Sequence, residues 1–296
     1  MTRITLLDGG MGQELVHRAG DKPTALWSTQ VMVDHPGMVE GVHRDFFEAG
    51  ATVATTNTYA IHHDRLEGTG LEDQFGDLHD RALAEATAAR AAHGSGRIAG
   101  SIGPLRASYR PDLHPDQAVA VPLFSEIADR IAPGCDLLIC ETVASIAHAR
   151  DVLAAAKQTG LPVWLACTVN DRDGTRLRSG EPVSDLGDVA RAADAVLVNC
   201  SAPEAVTQAL PLIAPFGVPF GGYANGFVQI SQDFLKAKPT VDSLELRKDM
   251  GPRAYAGYVM EWVAAGATIV GGCCEVSPAH IAEIHHRLTA AGYDVV

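Results

Sequence analysis

The feature that most constrains this chain is a repeated order of helix, glycine, strand. Helical patterns close on Ala49-Gly50, Pro133-Gly134, Thr159-Gly160, Phe216-Gly217 and Ala265-Gly266, and a short apolar run soon follows. Glycine tolerates the left-handed conformation that commonly ends a helix. Several helix starts carry proline, at His35-Pro36, His114-Pro115, Ala202-Pro203 and Ser277-Pro278, which suits a first helical turn. Strands are predicted at Ile4–Asp8, Thr52–Thr56, Arg97–Ser101, Asp136–Cys140, Val163–Thr168, Ala195–Cys200, Pro219–Tyr223 and Thr268–Gly271. Helices are predicted at Met38–Glu48, Leu71–His93, Asp116–Ile131, Ile146–Gln158, Pro203–Ile213, Arg253–Ala264 and Pro278–Ala290, with Val183–Ala193 a weaker pattern between strands five and six.

Eight alternations predict a parallel sheet with helices packed outside it. In 296 residues they fit an α/β fold, the (β/α)8 TIM barrel, whose usual size is roughly 250 residues. A doubly wound open sheet is the alternative. It usually has fewer strands and a phosphate loop after the first. Gly9-Gly10-Met11-Gly12 is too short and wrongly spaced for a dinucleotide fingerprint. No linker or low-complexity segment divides the chain, so residues 1–296 are expected to form one domain. Asn225–Met250 reads as an insertion after strand seven, and its Gly226 and its position make it a candidate lid.

Composition removes several function classes. The chain has 36 Asp+Glu against 23 Lys+Arg, a net charge of −13, and phosphate neutralisation needs a basic surface. Nucleic acid is therefore not an expected partner. No window approaches the roughly 18 consecutive apolar residues of a membrane span, so no membrane partner is expected either. The start, Met1 to Asp8, has no signal-peptide cleavage site and reads as the first strand of a cytoplasmic protein. Six cysteines are too few for a disulfide scaffold. In a reducing compartment they are buried apolar residues, metal ligands or catalytic groups.

In a barrel the active site lies at the C-terminal ends of the strands. Strand one ends in Asp8-Gly9-Gly10-Met11-Gly12, strand two in Thr56-Asn57-Thr58-Tyr59, strand three in Gly100-Ser101-Ile102-Gly103-Pro104 and strand four in Cys140-Glu141-Thr142. Strand six ends in Asn199-Cys200-Ser201, strand seven in Tyr223-Ala224-Asn225-Gly226 and strand eight in Gly271-Gly272-Cys273-Cys274-Glu275. Polar and sulfur residues thus collect at one end. Cys200, Cys273 and Cys274 sit on strands separated by a single other strand. Zinc accepts thiolates, and a catalytic site keeps one tetrahedral position open. Adjacent cysteines on a regular strand point to opposite faces, so both reach one ion only if the backbone turns, and Gly271-Gly272 is expected to supply that freedom. Spacing alone leaves two readings open, a metal site or buried apolar thiols. Cys135, Cys140 and Cys167 lie in or beside apolar strands and read as core. The pairs His62-His63 and His285-His286 are poor chelates, since helical neighbours point about 100° apart.

Together these segments resemble the homocysteine S-methyltransferase family, zinc-dependent barrel enzymes that make methionine. The likeness covers nearly the whole chain. It includes Leu7–Leu15, Leu26-Trp27-Ser28, His43–Ala51, Thr56–Tyr59, Gly100–Pro104, Cys140-Glu141-Thr142, Val198-Asn199-Cys200, Tyr223-Ala224-Asn225 and Gly271–Cys274. The Asn-Cys pair followed by a distant Gly-Gly-Cys-Cys matches the family's zinc triad. The resemblance implies that Cys200, Cys273 and Cys274 hold Zn2+ and that the homocysteine sulfur completes the tetrahedron. It implies that Asp8 and Glu141 receive the substrate's amino group, and that the turn Gly9, Gly10, Met11 receives its carboxylate. Trp27 and Tyr59 fall where the family builds the pocket for substrate and methyl donor. Asn57, Ser101 and Asn225 at neighbouring strand ends join the substrate-binding set. No residue acts as general acid or base at the methyl group, because the activated substrate thiolate is itself the nucleophile.

The length leaves no room for appended corrinoid domains, so the methyl group is expected from a diffusible donor or a separate protein, and the donor implied is a small cation. Betaine-using members tend to place an aromatic residue after the strand-four Glu and carry longer C-terminal arms. Here Thr142 follows Glu141 and the chain stops at Val296. Both features resemble the bacterial and plant members that use S-methylmethionine, or S-adenosylmethionine as a poorer donor. Betaine or another sulfonium donor, selenohomocysteine as acceptor, and a non-catalytic zinc- or thiol-binding barrel are the alternatives. The oligomeric state, monomer or dimer, is not legible.

Overall fold

A computed structural model of the chain describes residues 2–20, 24, 26–230, 235 and 244–296. Eight parallel strands run Arg3–Leu6 (β1), Val53–Thr55 (β2), Arg97–Ile102 (β3), Leu137–Val143 (β4), Val163–Cys167 (β5), Ala195–Asn199 (β6), Phe220–Tyr223 (β7) and Ile269–Val270 (β8). Each lies within a residue or two of a predicted strand, except that β4 runs three residues further. β2 to β7 pair in order, β7 pairs β8, and β8 pairs β1. The ring closes where Leu7 bridges Val53, with Asp8 N–H donating to the Val53 carbonyl at 3.1 Å and Thr52 N–H to Leu6 at 2.7 Å. Closure leaves the eight-stranded ring without a free edge and excludes the open doubly wound sheet. Below the seam a short ninth strand, Asp294–Val295 (β9), pairs with β1, and the Thr52 hydroxyl donates to the Val296 carbonyl at 2.7 Å. The fold is a (β/α)8 barrel.

Strand parity divides the core in two. Leu137, Ile139, Trp164, Ala166, Ala195 and Leu197 point inward and fill the barrel. Their neighbours Leu138, Cys140, Leu165, Cys167, Val196 and Val198 face the helical layer. The helix Met38–Glu48 shows why that layer forms. Val39, Val42, Phe46 and Phe47 recur at helical spacing and are all buried, each contributing roughly 1.5–3 kcal/mol. Tyr255, on the helix Pro252–Ala264, reaches inward to pin two strand ends. Its hydroxyl donates to the Gly271 carbonyl at 2.8 Å and accepts the Ala224 N–H at 2.9 Å.

Several local expectations need correction. Gly50, Gly160, Gly217 and Gly266 adopt positive φ, whereas Gly134 lies in a 3-10 turn without it. Pro203 and Pro278 open their helices, whereas Pro115 precedes a helix that begins at Gln117. The Val183–Ala193 pattern shrinks to a 3-10 turn, Val183–Leu186, and one α-turn, Gly187–Ala190. An antiparallel hairpin, Val169–Asn170 with Asp173–Leu177, stands before it. Helices Met11–Ala19 and Ser28–Asp34 fill the stretch after β1. Of the proposed lid, 231–234 and 236–243 lie outside the described residues. No described helix is long and apolar enough to cross a membrane.

Candidate functional site: thiols and carboxylates in one barrel mouth

A cavity of about 270 Å3 opens at the C-terminal end of the strands. Its wall includes Asp8, Gly9, Gly10, Met11, Trp27, Asn57, Tyr59, Ser101 and Glu141, and also Cys200, Cys273 and Cys274. All expected site residues therefore meet there except Asn225. That side chain is buried beside the cavity, where its Oδ1 accepts the Phe227 N–H at 3.2 Å.

Glu141 continues the inward parity of Leu137 and Ile139. Its carboxylate accepts from the Ser101 hydroxyl at 2.5 Å and the Tyr223 hydroxyl at 2.9 Å. Asp8, just past β1, accepts the Thr55 N–H at 2.6 Å and the Thr55 hydroxyl at 2.8 Å. Burial pushes the Asp8 carboxyl up to about 8, helped by the nearby Glu141 charge and opposed by the Thr55 bonds. Burial also raises Glu141, against the pull of Ser101 and Tyr223. Among the described residues neither carboxyl is ion-paired with a Lys or Arg, although Arg65, Arg106 and Arg110 also line the cavity. Two buried carboxyls that share a cavity and lack a direct ion-pair partner are chemically suited to take a ligand cation.

The β1 turn and the β8 turn are packed against each other. A Cβ on Gly10 would stand 2.7 Å from the Cys273 carbonyl oxygen, and one on Gly9 would stand 2.1 Å from that of Val276. Only glycine allows this approach. Gly10 N–H donates to Val276 at 2.9 Å, and Gly272 N–H to Asp8 at 2.9 Å. Gly271 and Gly272 are likewise required by crowding, since a Cβ on Gly272 would meet the Val276 side chain at 2.0 Å. Neither has positive φ; in this turn Glu275 does, at 68°. The expectation of glycine freedom is thus replaced by one of close packing.

Cys200 has the outward parity of Val196 and Val198. It lines the cavity because its backbone turns left-handed, at φ 45°. The three sulfurs lie within 4.8 Å of one another. Zinc binds thiolates at about 2.3 Å, so donors to one ion stand roughly 4–5 Å apart at most. Donor type and spacing fit the ion. Cys200 and Cys273 are joined as a disulfide in this structure, with Cα atoms 5.7 Å apart, and only the reduced form could offer three thiolates to an ion. Burial pushes the Cys274 thiol up to about 12.

Six described non-glycine residues have positive φ: Trp27, Arg106, Tyr109, Thr142, Cys200 and Glu275. Five of them line the cavity. Such residues are costly, most of all β-branched Thr142, and they cluster at functional sites. Asn199 holds two of these turns in register. Its Oδ1 accepts the Thr142 N–H at 3.0 Å, its Nδ2 donates to the Thr142 hydroxyl at 3.2 Å, and Cys200 follows it directly. Trp27 is fixed by its indole N–H, which donates to Gln13 at 2.8 Å, and Gln13 in turn donates to Glu275. Tyr59 carries the Arg65 guanidinium 5.6 Å from its ring centroid.

Sequence reasoning gave no role to Tyr223, Thr55 or Asn199, nor to Arg106 and Tyr109 in the loop after β3. Inward strand parity was a usable signal for the first three. Nothing in the residue pattern marked the loop. His62 and His63 do not line the cavity. His62 bonds the Tyr59 carbonyl at 3.0 Å, and His63 stacks on Phe75.

Comparison with known proteins shows the family of the chain. The family model for homocysteine S-methyltransferase matches residues 5–288. A homocysteine S-methyltransferase of Escherichia coli K12 is 30% identical, with 96% of this chain and 95% of that protein covered. A selenocysteine methyltransferase of Astragalus bisulcatus is 25% identical over 97% and 93%. The metallated crystal structure of the E. coli homocysteine methyltransferase MmuM superposes with a TM-score of 0.80, at 28% identity over 96% of each chain. The chain is a methyltransferase and belongs to the homocysteine S-methyltransferase family.

Proposed function

We propose that this enzyme transfers a methyl group from S-methylmethionine to the thiolate of homocysteine, with Zn2+ held by Cys200, Cys273 and Cys274. The observation that carries this reading is the shared cavity, which brings three clustered cysteine sulfurs together with two buried carboxyls that have no ion-pair partner. Zinc bound there supplies the positive charge that keeps a substrate thiol deprotonated near neutral pH, where a free thiol of pKa about 8.5 is mostly protonated.

The chain's own residues bind and orient. Asp8 and Glu141 take the homocysteine ammonium. The Gly9–Met11 turn, pressed against the β8 turn, takes the carboxylate on its backbone. Asn57 and Ser101 complete the amino-acid pocket. Substrate sulfur then attacks the donor methyl carbon as the donor's carbon–sulfur bond breaks. The donor sulfonium leaves as a neutral thioether, so charge is neutralised and no proton moves at the methyl group. Holding both sulfurs and the methyl carbon in line can remove roughly 7–11 kcal/mol of barrier.

The donor assignment against betaine rests on Thr142 after Glu141, where betaine users tend to carry an aromatic residue; the cavity of about 270 Å3 favours S-methylmethionine over the larger S-adenosylmethionine only. Trp27 and Tyr59 offer ring faces to a cation. S-adenosylmethionine is the poorer donor on this reading, and the thiol site suits a reducing, cytoplasmic compartment. A panel of donors tests it. Methionine formation should be fastest with S-methylmethionine, slower with S-adenosylmethionine and least with betaine; faster turnover with betaine overturns the assignment. Selenohomocysteine in the same assay tests the acceptor, a question raised by the selenocysteine methyltransferase relative.

A further inference from the structure

A buried ion pair that the reading above leaves unused lies directly behind Cys200. Asp171 and Arg178, contributed by the hairpin after β5, have side chains only 6% and 11% exposed. They meet as a two-pronged fork, Nη1 to Oδ2 and Nη2 to Oδ1, both at 2.9 Å. Their remaining bonds hold Cys200, which lines the cavity, and the chain around it. Arg178 Nη2 donates to the Cys200 carbonyl at 3.4 Å, and Nε donates to Thr168 Oγ1 at 3.2 Å. The Thr168 hydroxyl donates to the same Cys200 carbonyl at 3.2 Å. Asp171 Oδ1 accepts the Ala202 N–H and Oδ2 the Ile230 N–H, each at 2.9 Å. The guanidinium also lies 5.2 Å from the ring centroid of Tyr109, within cation–π range.

One pair thus ties down two of the six left-handed residues, Cys200 and Tyr109, together with the chain at Ile230. A buried ion pair is a poor way to add stability, because desolvation offsets its attraction; fixing one conformation is its better-attested use. Cys200 has a conformation to fix. On a regular strand its sulfur would face the helical layer, and only the left-handed turn brings it to the cavity. Such strain persists where surrounding contacts over-determine it.

We propose that Asp171 and Arg178 are positioning residues that hold Cys200 turned toward Cys273 and Cys274, so that the thiol cluster is preformed for its metal. This rests on the reading of the three thiols as a zinc site. The test is Zn2+ affinity, by competition with a chromogenic chelator under reducing conditions and without substrates. It compares wild type, Asp171→Asn, Arg178→Met and Arg178→Lys. Loss of partners that orient a ligand typically weakens metal binding 10–100-fold, and Asp171→Asn and Arg178→Met should fall in that range. Arg178→Lys should lie between, since an ammonium keeps the charge but not the fork. Thr168→Val keeps both charges and the Asp171–Arg178 fork but removes one donor to Cys200 and the acceptor of Arg178 Nε, so it should still weaken zinc several-fold even if the charge variants fail to fold. Lys157→Met, at the exposed Lys157–Asp194 pair, should change nothing. Lower unfolding midpoints with zinc affinity within twofold of wild type would mark the pair as merely structural and overturn the proposal. A wild type that takes up no zinc would instead overturn the thiol-site reading, and the clamp's purpose with it.

Discussion

The six cysteines of this protein divide between two regions, the barrel wall and its mouth, and burial does not tell them apart. Cys140 and Cys167 in the wall are fully buried, Cys200 and Cys274 at the mouth nearly so. Burial raises the thiols of Cys135, Cys140, Cys167 and Cys274 alike. Backbone direction separates them. In the wall, regular parity turns Cys140 and Cys167 toward the helices while Glu141, one residue on, faces the cavity. At the mouth, the left-handed turn at Cys200 and the tight turn through Cys273–Glu275 gather three sulfurs to one place. A reactive cluster is made by where strands stop being strands.

That contrast is open to breakage. The largest effect is expected at the mouth, where Cys200→Ala should abolish both stoichiometric zinc and methionine formation. Next come the carboxyls. Asp8→Asn or Glu141→Gln should lower kcat/KM for homocysteine roughly 10–100-fold, since a hydrogen bond to a charged group is worth about 1.5–3 kcal/mol, while zinc content stays at wild-type level.

The pH dependence follows with a definite sign. The Asp8 carboxyl of the substrate-free protein titrates near 8, above its unfolded value near 3.9. The folded state therefore holds the extra proton between those values, and stability from this group falls as pH rises from about 4 to 8. Binding of an ammonium group needs the ionised form, so homocysteine affinity should rise from pH 6 to 8. Asp8→Asn should flatten both trends and raise the melting temperature of the substrate-free protein at pH 8, a trade of stability for function. Calorimetric melts across that range, with homocysteine titrations beside them, measure both; a melting temperature at pH 8 below wild type would contradict the assignment. The smallest effect belongs to the wall. Cys167→Ala should cost about 1 kcal/mol in denaturant unfolding, the scale of a small core deletion, with zinc and turnover retained.

Much of this was legible in the sequence because period-two strands and glycine-closed helices are local signals. The strand-end sets that contain Asp8, Glu141, Cys200 and Cys273-Cys274 follow from those boundaries. Conformation at single residues was not legible. The left-handed Thr142 and Cys200 depend on Asn199 and Arg178, partners 57 and 22 residues away, and no window of sequence contains such a contact. The hairpin that delivers Asp171 and Arg178 was hidden for a related reason. Its strands are short and mix buried Val169 and Leu177 with polar residues, so they carry little apolar periodicity and the stretch between β5 and β6 showed only a weak helix. Asn225 differs from the other strand-end residues: it follows a strand end, yet its side chain is buried in the fold and its Oδ1 accepts the Phe227 N–H.

The claim on which the rest depends is that the mouth cluster binds zinc. Elemental analysis of protein purified, and separately reconstituted, under reducing conditions tests it directly. The expected result is about one zinc per chain in wild type and in Cys167→Ala, and none in Cys200→Ala. Absence of stoichiometric zinc from reduced wild-type protein would contradict the account.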